Sequence, residues 1–272
     1  MLKGLSITPP VIGRIAIGKV VEKNGKRLPE KDDAFTITTL VQQRGEWLLH
    51  PLHNQLLSQK EGSKLRSIPV TLLFNDPDLN LRAQYSLFDR QTGRPLCVGN
   101  GETAKRSTQE GYKAISCPGP DLCLLGQEMG CKPYGRLNVQ IEGQEDELGT
   151  FIFRTTGYNS IRTLAARLKY LNAISQNKAR HLPLSLKLRA KSTTQSHRAP
   201  VYFVDLVIRE GVSLEDALTD VKKQGETQAM DDSLLESVAR EGLANGAFEE
   251  TLEDGPELVE EFYPPVEVER VA

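Results

Sequence analysis

The 272-residue sequence lacks most of the features that would identify a function quickly. It has no uncharged apolar run near the roughly 20 residues a membrane helix needs, and its start, MLKGLSITPP, lacks the apolar stretch of a secretory signal. Both absences point to a cytoplasmic chain with no membrane partner. Aromatic residues make up 6% of the chain, with a single Trp, which argues against a surface built from many base-stacking platforms. Four cysteines are too few for a disulfide scaffold, and in a reducing compartment clustered cysteines hold metal or do redox chemistry. No catalytic triad, phosphate loop or internal repeat is present, so the expectation is a protein that is not an enzyme and has no small-molecule substrate.

Hydrophobic residues at 39% and charged residues at 26% are enough for an ordinary buried core. The net charge of −2 hides a division of the chain. Residues 1–212 carry 30 lysines and arginines against 19 acids, whereas residues 213–272 carry 4 against 17. Within the first part, residues 151–212 have 11 basic side chains and 2 acidic ones, a density suited to a polyanion or an acidic protein surface.

VIGRIAIGKVV and AFTITTLV read as two strands joined by the polar loop EKNGKRLPEKDD, and IPVTLLF and NLRAQYSLFD read as two more around the turn residues NDPD. RLNVQIE alternates and TFIFRTTGY returns as its partner. Asn159 or Ser160 is placed to cap a helix whose Ile161, Leu164, Ala165, Leu168 and Leu171 share one face. LPLSLKLRAK then puts Leu184, Leu186, Leu188 and Ala190 inward and Ser185, Lys187, Arg189 and Lys191 outward, and APVYFVDLVI closes as a buried strand. The expected fold is α+β and mostly antiparallel, with a strand–strand–helix–strand–strand unit whose element order is like that of an oligonucleotide-binding (OB) barrel. Residues 1–212 form the domain and embed a cysteine loop region, 95–135. Residues 213–272 are expected to be an acidic tail, partly disordered, separable at Val212, with two short helices opened by Ser213-Leu-Glu-Asp216 and Ser233-Leu-Leu-Glu236.

Cys97, Cys117, Cys123 and Cys131 lie within 35 residues among Gly, Pro and a basic residue. Zinc needs soft ligands converging tetrahedrally, and tight turns let backbone amides face the thiolates while Lys132 offsets their charge. Four protein ligands would make the zinc structural; free thiols sharing one loop region are the alternative. Gly99-Asn-Gly101-Glu-Thr-Ala104 matches a dinucleotide fingerprint without the strand and helix that it needs. Asp76-Pro-Asp78 and Glu145-Asp146-Glu147 would be the magnesium ligands of a metal-dependent hydrolase, but both sit where turn carboxylates are ordinary. His50-Pro-Leu-His53 is a ligand-like pair that no carboxylate or cysteine pattern joins, and His181 and His197 stand alone. The basic set Arg154, Arg162, Arg167, Lys169, Lys178, Arg180, Lys187, Arg189, Lys191 and Arg198 is the strongest sign of a partner. Arg162, Arg167 and Lys169 fall on the helix and Lys187, Arg189 and Lys191 on the following strand. The competing reading is a solvated face. If the set binds a partner, the acidic tail is expected to compete for it.

GRIAIGKVVEKNGKRLPEKDDAFTIT, LCVGNGETAKR, SCPGPDLC, CKPYGRLNVQI, GTFIFRTTGYNSIRTLAARL, LPLSLKLRAKS and APVYFVDL, in that order over roughly 11–208, resemble the recombination directionality factors of actinophage serine integrases and their bacterial relatives. This chain has Pro-Gly-Pro after Cys117 where relatives often carry a CPCP run. The resemblance implies a non-enzymatic accessory factor of phage or mobile-element recombination that binds an integrase–DNA complex and favours excision. A zinc-stabilised single-strand DNA-binding or annealing accessory of a phage-type recombination cassette is the second reading.

Overall fold

The computed structural model describes residues 2–23, 26–59, 64–192, 194, 198–227, 232–250 and 255–263. Strands β1 (Val11–Lys23) and β2 (Lys26–Gln43) form one long antiparallel ribbon, and β3 (Glu46–Leu49) adds to its free edge. The ladder continues to the Lys23–Lys26 pair, so most of the polar segment expected to be a loop is strand. Ladder hydrogen bonds come from the backbone, and a polar ribbon needs no apolar face to keep pairing. Helix α1 (Pro51–Ser58) buries Leu52 and Leu56.

β4 (Ser67–Thr71) and β5 (Leu81–Phe88) flank the turn and the one-turn helix α2 (Pro77–Asn80), as the NDPD signal predicts. They pair with β9 (Lys132–Ile141) rather than with each other. Between β5 and β9 in sequence lie the meander β6 (Pro95–Gly99), β7 (Thr103–Thr108) and β8 (Gly111–Ser116), then the short helix α3 (Leu124–Met129). β10 (Thr150–Thr155) pairs with β9 as its alternation predicts, and its other edge takes β1 in parallel.

Helix α4 (Tyr158–Ile174) buries Ile161, Leu164, Leu168 and Leu171. Its N-cap is Gly157, without a side-chain bond. Ser160, expected as a cap, instead accepts from the Val204 amide at 3.1 Å, and Asn159 accepts from Lys191 at 2.6 Å. β11 (Leu184–Ser192) and β12 (Pro200–Ile208) form the last hairpin. Leu184, Leu186 and Leu188 are buried as expected, but Ser185 is buried too and Ala190 is exposed, because β4 covers only the first half of β11.

The sheet runs β3-β2-β1-β10-β9-β5-β6-β7-β8, and β4 bridges β9 to the β11–β12 hairpin. The fold is thus α+β with a large, mostly antiparallel sheet. The expected strand–strand–helix–strand–strand order is present as β9, β10, α4, β11 and β12, but β10 continues to β1, and β11 reaches β9 only through β4. One core joins Phe35, Ile37, Leu137, Val139, Phe151, Phe153, Leu164, Leu184, Leu186 and Leu206.

The acidic tail has three helices among the described residues rather than two: α5 (Leu214–Thr227), α6 (Asp232–Ala244) and α7 (Gly255–Phe262). Ser213 caps α5 by accepting from the Asp216 amide at 3.1 Å. α5 and α6 run through Gly225 and Gly242, residues that often end helices. Nor is the tail detached. Ala217 and Val221 enter the main core, Leu235, Ala239 and Leu243 pack on Leu73, Phe74 and Leu79, and Leu258 and Phe262 pack on Phe88 and Tyr134. Short apolar stripes suffice when each finds its own depression, so net charge was a poor guide to docking. Residues 264–272, part of the expected disorder, lie outside the described residues. No helix among the described residues is long and apolar enough to cross a membrane.

Candidate functional site

α4 and the β11–β12 hairpin enclose a groove of about 300 Å³ lined by Asn159, Arg162, Arg167, Tyr170, Lys191 and Phe203. Arg162 stands one helical turn from the Asn159–Lys191 contact, so two cations share the rim. Arg162 has no carboxylate partner among the described residues, and Tyr170 is 69% exposed. A rim with two cations and an exposed ring offers charge to a phosphate or carboxylate and a flat apolar surface to the rest of the ligand that carries it.

The other expected basic residues are used differently. Asp205 on β12 is buried, with 3% of its side chain exposed, and it accepts from Arg167 Nε at 2.9 Å, Arg189 Nε at 2.6 Å and the Leu206 amide at 2.9 Å. Burial alone would raise its pKa, but the two guanidiniums prevail and hold the carboxyl below its ordinary range. Half the charge of this arginine pair is therefore answered internally. Lys187 is half-buried opposite Asp205 in the register, and Lys169 is exposed two helical turns beyond Arg162 on the same flank of α4 without lining the groove. Arg180 pairs with Asp232 of the tail at 2.8 Å. The described residues of the tail seat elsewhere than on the groove. The one signal for Asp205 was a lone acid inside an otherwise apolar strand; Asn159 and Tyr170 had none.

Cys97, Cys117, Cys123 and Cys131 line one cavity of about 20 Å³, although no three or more His, Cys, Asp or Glu among the described residues are drawn together as a metal-binding group. All four are half-buried. A Cβ at Gly99 would sit 2.8 Å from the Cys117 sulfur, so the glycine makes room for the thiol. Burial, then the neighbouring cysteines, push the Cys131 thiol up to about 12, and burial also raises Cys97. The cation at this corner is Arg106, the cross-strand partner of Cys97, whose Nη2 lies 3.9 Å from the Cys123 sulfur. Lys132, expected in that role, donates to the Phe262 carbonyl and faces the Phe262 ring. Strand register, invisible in the spacing, selects Arg106.

The remaining constellations serve local structure. Asp76 caps α2 and binds Arg240 at 2.6 Å, and Asp146 accepts from the Leu148 and Gly149 amides, both at 2.9 Å. Asn100 closes the β6–β7 turn, so the fingerprint-like glycines belong to a hairpin. His50 caps α1 and His53 accepts from the Ile37 amide, so they are not a ligand pair. His181 meets Asp232 at 3.2 Å; His197 lies outside the described residues.

The family model described as Gp3-like: Recombination directionality factor-like matches residues 12–209. No curated protein and no solved structure matches the chain.

Proposed function

The chain belongs to the Gp3-like, recombination directionality factor-like family, and from that premise we propose that it docks on an integrase–DNA complex through the groove between α4 and the β11–β12 hairpin. The family's members are non-enzymatic accessory factors of DNA recombination, so the role is to set direction and not to supply chemistry. Directionality requires only differential binding: reversing an equilibrium from 1:99 to 99:1 takes about 10⁴-fold tighter binding to the favoured assembly. The observation that carries this reading is the rim of Arg162 and Lys191 around the exposed Tyr170.

The test is Arg162→Glu combined with Lys191→Glu, in excision assays with the cognate serine integrase. The doubly reversed protein should lose excision while still folding. If DNA is the direct contact, the wild type should also bind it with a steep salt dependence, and the reversal should flatten that slope by about one unit per lost phosphate contact. Loss of excision without a change in DNA affinity assigns the groove to integrase. Affinity for single strands alone supports the annealing accessory instead. Unchanged excision and unchanged DNA affinity leave the groove as solvated surface.

The second part of the proposal is a structural zinc held by Cys97, Cys117, Cys123 and Cys131. The donor set supports it, since four thiols face one cavity with Arg106 placed to offset the charge of their thiolates. When bound, the metal would cross-link the β6–β8 meander to the start of β9 and contribute directly to folding stability. The thiols must shed their protons first, and two of them are held above their ordinary range, so zinc affinity is expected to fall as pH falls. Elemental analysis of protein purified without chelator should give one zinc per chain. Well under one would sink this part and leave four free thiols.

A further inference from the structure

On β5 and β9, Arg82 and Arg136 stand directly opposite each other in the antiparallel register. Like charges at such a pair repel, and here Arg136 is also fully buried, so the arrangement requires anions. Among the described residues of 12–209, the side chains that meet these two arginines are neutral: Gln84 accepts from Arg136 at 2.7 Å, and the Arg136 guanidinium lies 5.3 Å from the centre of the Tyr134 ring. Both carboxylates come from the tail. Glu249 accepts from Arg82 Nε at 2.9 Å and lies 3.6 Å from Arg136, while Glu250 pairs with the other Arg136 nitrogen.

Farther along the tail, Leu258 and Phe262 close over Phe88 and Tyr134 in a cluster separate from the main core. Tyr263 donates to the Phe88 carbonyl at 2.8 Å, with Arg90 over its ring at 4.6 Å. Between the two ends, the backbone of Gly255 rests against the turn at Thr92 and Gly93, closely enough that a Cβ there would collide with the Thr92 carbonyl.

We propose that this arginine-and-aromatic face of β5 and β9 is a docking site for a partner protein segment carrying two adjacent carboxylates followed by aromatic residues, and that Glu249, Glu250 and residues 255–263 occupy it as a resident, displaceable copy of that ligand. Two observations favour displacement, and a third the class of partner. The face lies within the family-matching region and its carboxylates lie outside it. The apolar anchors form a satellite cluster that the main core does not need. The charge pattern of the face selects a protein segment, because its cations are backed by an aromatic pocket already closed on Leu and Phe side chains. A covalently attached tail competes at an effective concentration on the order of millimolar, so a ligand displaces it either when held nearby by another contact or when supplied free well above that concentration.

The test uses the full chain and a fluorescein-labelled synthetic peptide of residues 246–263. Gly255→Val should unseat the tail by collision with the Thr92 carbonyl while removing no core side chain. That variant should bind the peptide at least ten-fold more tightly than the unmodified chain, and adding Arg82→Glu should abolish the gain. Equal weak binding by a Gly255→Val protein with an unchanged thermal transition would overturn the proposal. So would Arg82-dependent binding of an oligonucleotide in place of the peptide. If Gly255→Val fails to fold, the unmodified chain decides by hydrogen exchange. Excess peptide should speed exchange in residues 255–263 and leave 132–141 unchanged, and no acceleration would make the tail a fixed part of the fold.

Discussion

On the α4 side of the molecule, Arg162 and Lys191 border an open groove and a single buried acid, Asp205, serves both Arg167 and Arg189. On the β5–β9 side, Arg82 and Arg136 are met by two glutamates from more than a hundred residues away and sealed beneath Leu258 and Phe262. The first region has by far the greater density of basic residues, yet the acidic tail covers the second. Surface charge attracts weakly in water and is screened within about 10 Å at moderate salt, whereas an apolar side chain such as Phe gains roughly 1.5–3 kcal/mol when buried. Apolar anchors therefore choose the face, and the carboxylates that travel with them are then placed where buried arginines need them.

The largest effect should come from Arg136→Ala. Breaking a buried ion pair costs about 3–5 kcal/mol when the remaining charge stays buried, but Glu249 and Glu250 reach water once the tail lifts. The expected outcome is about a hundred-fold loss of hydrogen-exchange protection in residues 255–263, with the main thermal transition lowered by less than a full buried pair would require. Equal loss of protection throughout β9 would erase the distinction between a satellite cover and a core element.

Asp205→Asn tests the other region and should cost less, about 1–2 kcal/mol by denaturant unfolding, because both arginines remain nearly half exposed and regain solvent. The carboxyl is held below its ordinary range, so its contribution is full above the usual carboxylate pKa and is lost as pH falls through the lowered folded value. Stability curves of wild type and variant should converge in acid. A gap that persists there would mean that Asp205 acts through packing rather than charge.

The smallest effect on stability belongs to the Arg162→Glu, Lys191→Glu pair, expected within about 0.5 kcal/mol of wild type by thermal unfolding, since both are rim residues. A larger loss would show that the groove is braced by these cations and would blur the contrast between an open face and a closed one.

Much of the local structure is legible in the sequence. The alternation of RLNVQIE, the helical spacing of Ile161, Leu164, Leu168 and Leu171, and the capping serine of α5 all depend on neighbours within a few positions, where side-chain period and backbone propensity act directly. The convergence of the four cysteines on one cavity is partly legible, because they are close in sequence. Arg106 is not, since only the register of β6 against β7 brings it opposite Cys97.

The sequence by itself determined the α+β class, the division between a basic first part and an acidic tail, and the family, because each follows from composition, short-range period or the order of motifs. Tertiary structure alone decided that β1 runs parallel to β10 and that β4 joins β9 to the last hairpin. It alone decided that Asp205 answers two of the expected binding arginines and that the tail seats on Arg82 and Arg136. Those pairings join residues from 16 to well over a hundred positions apart. Their selection rests on which apolar surfaces fit and which buried charges must be matched, and neither quantity exists until the chain has closed on itself.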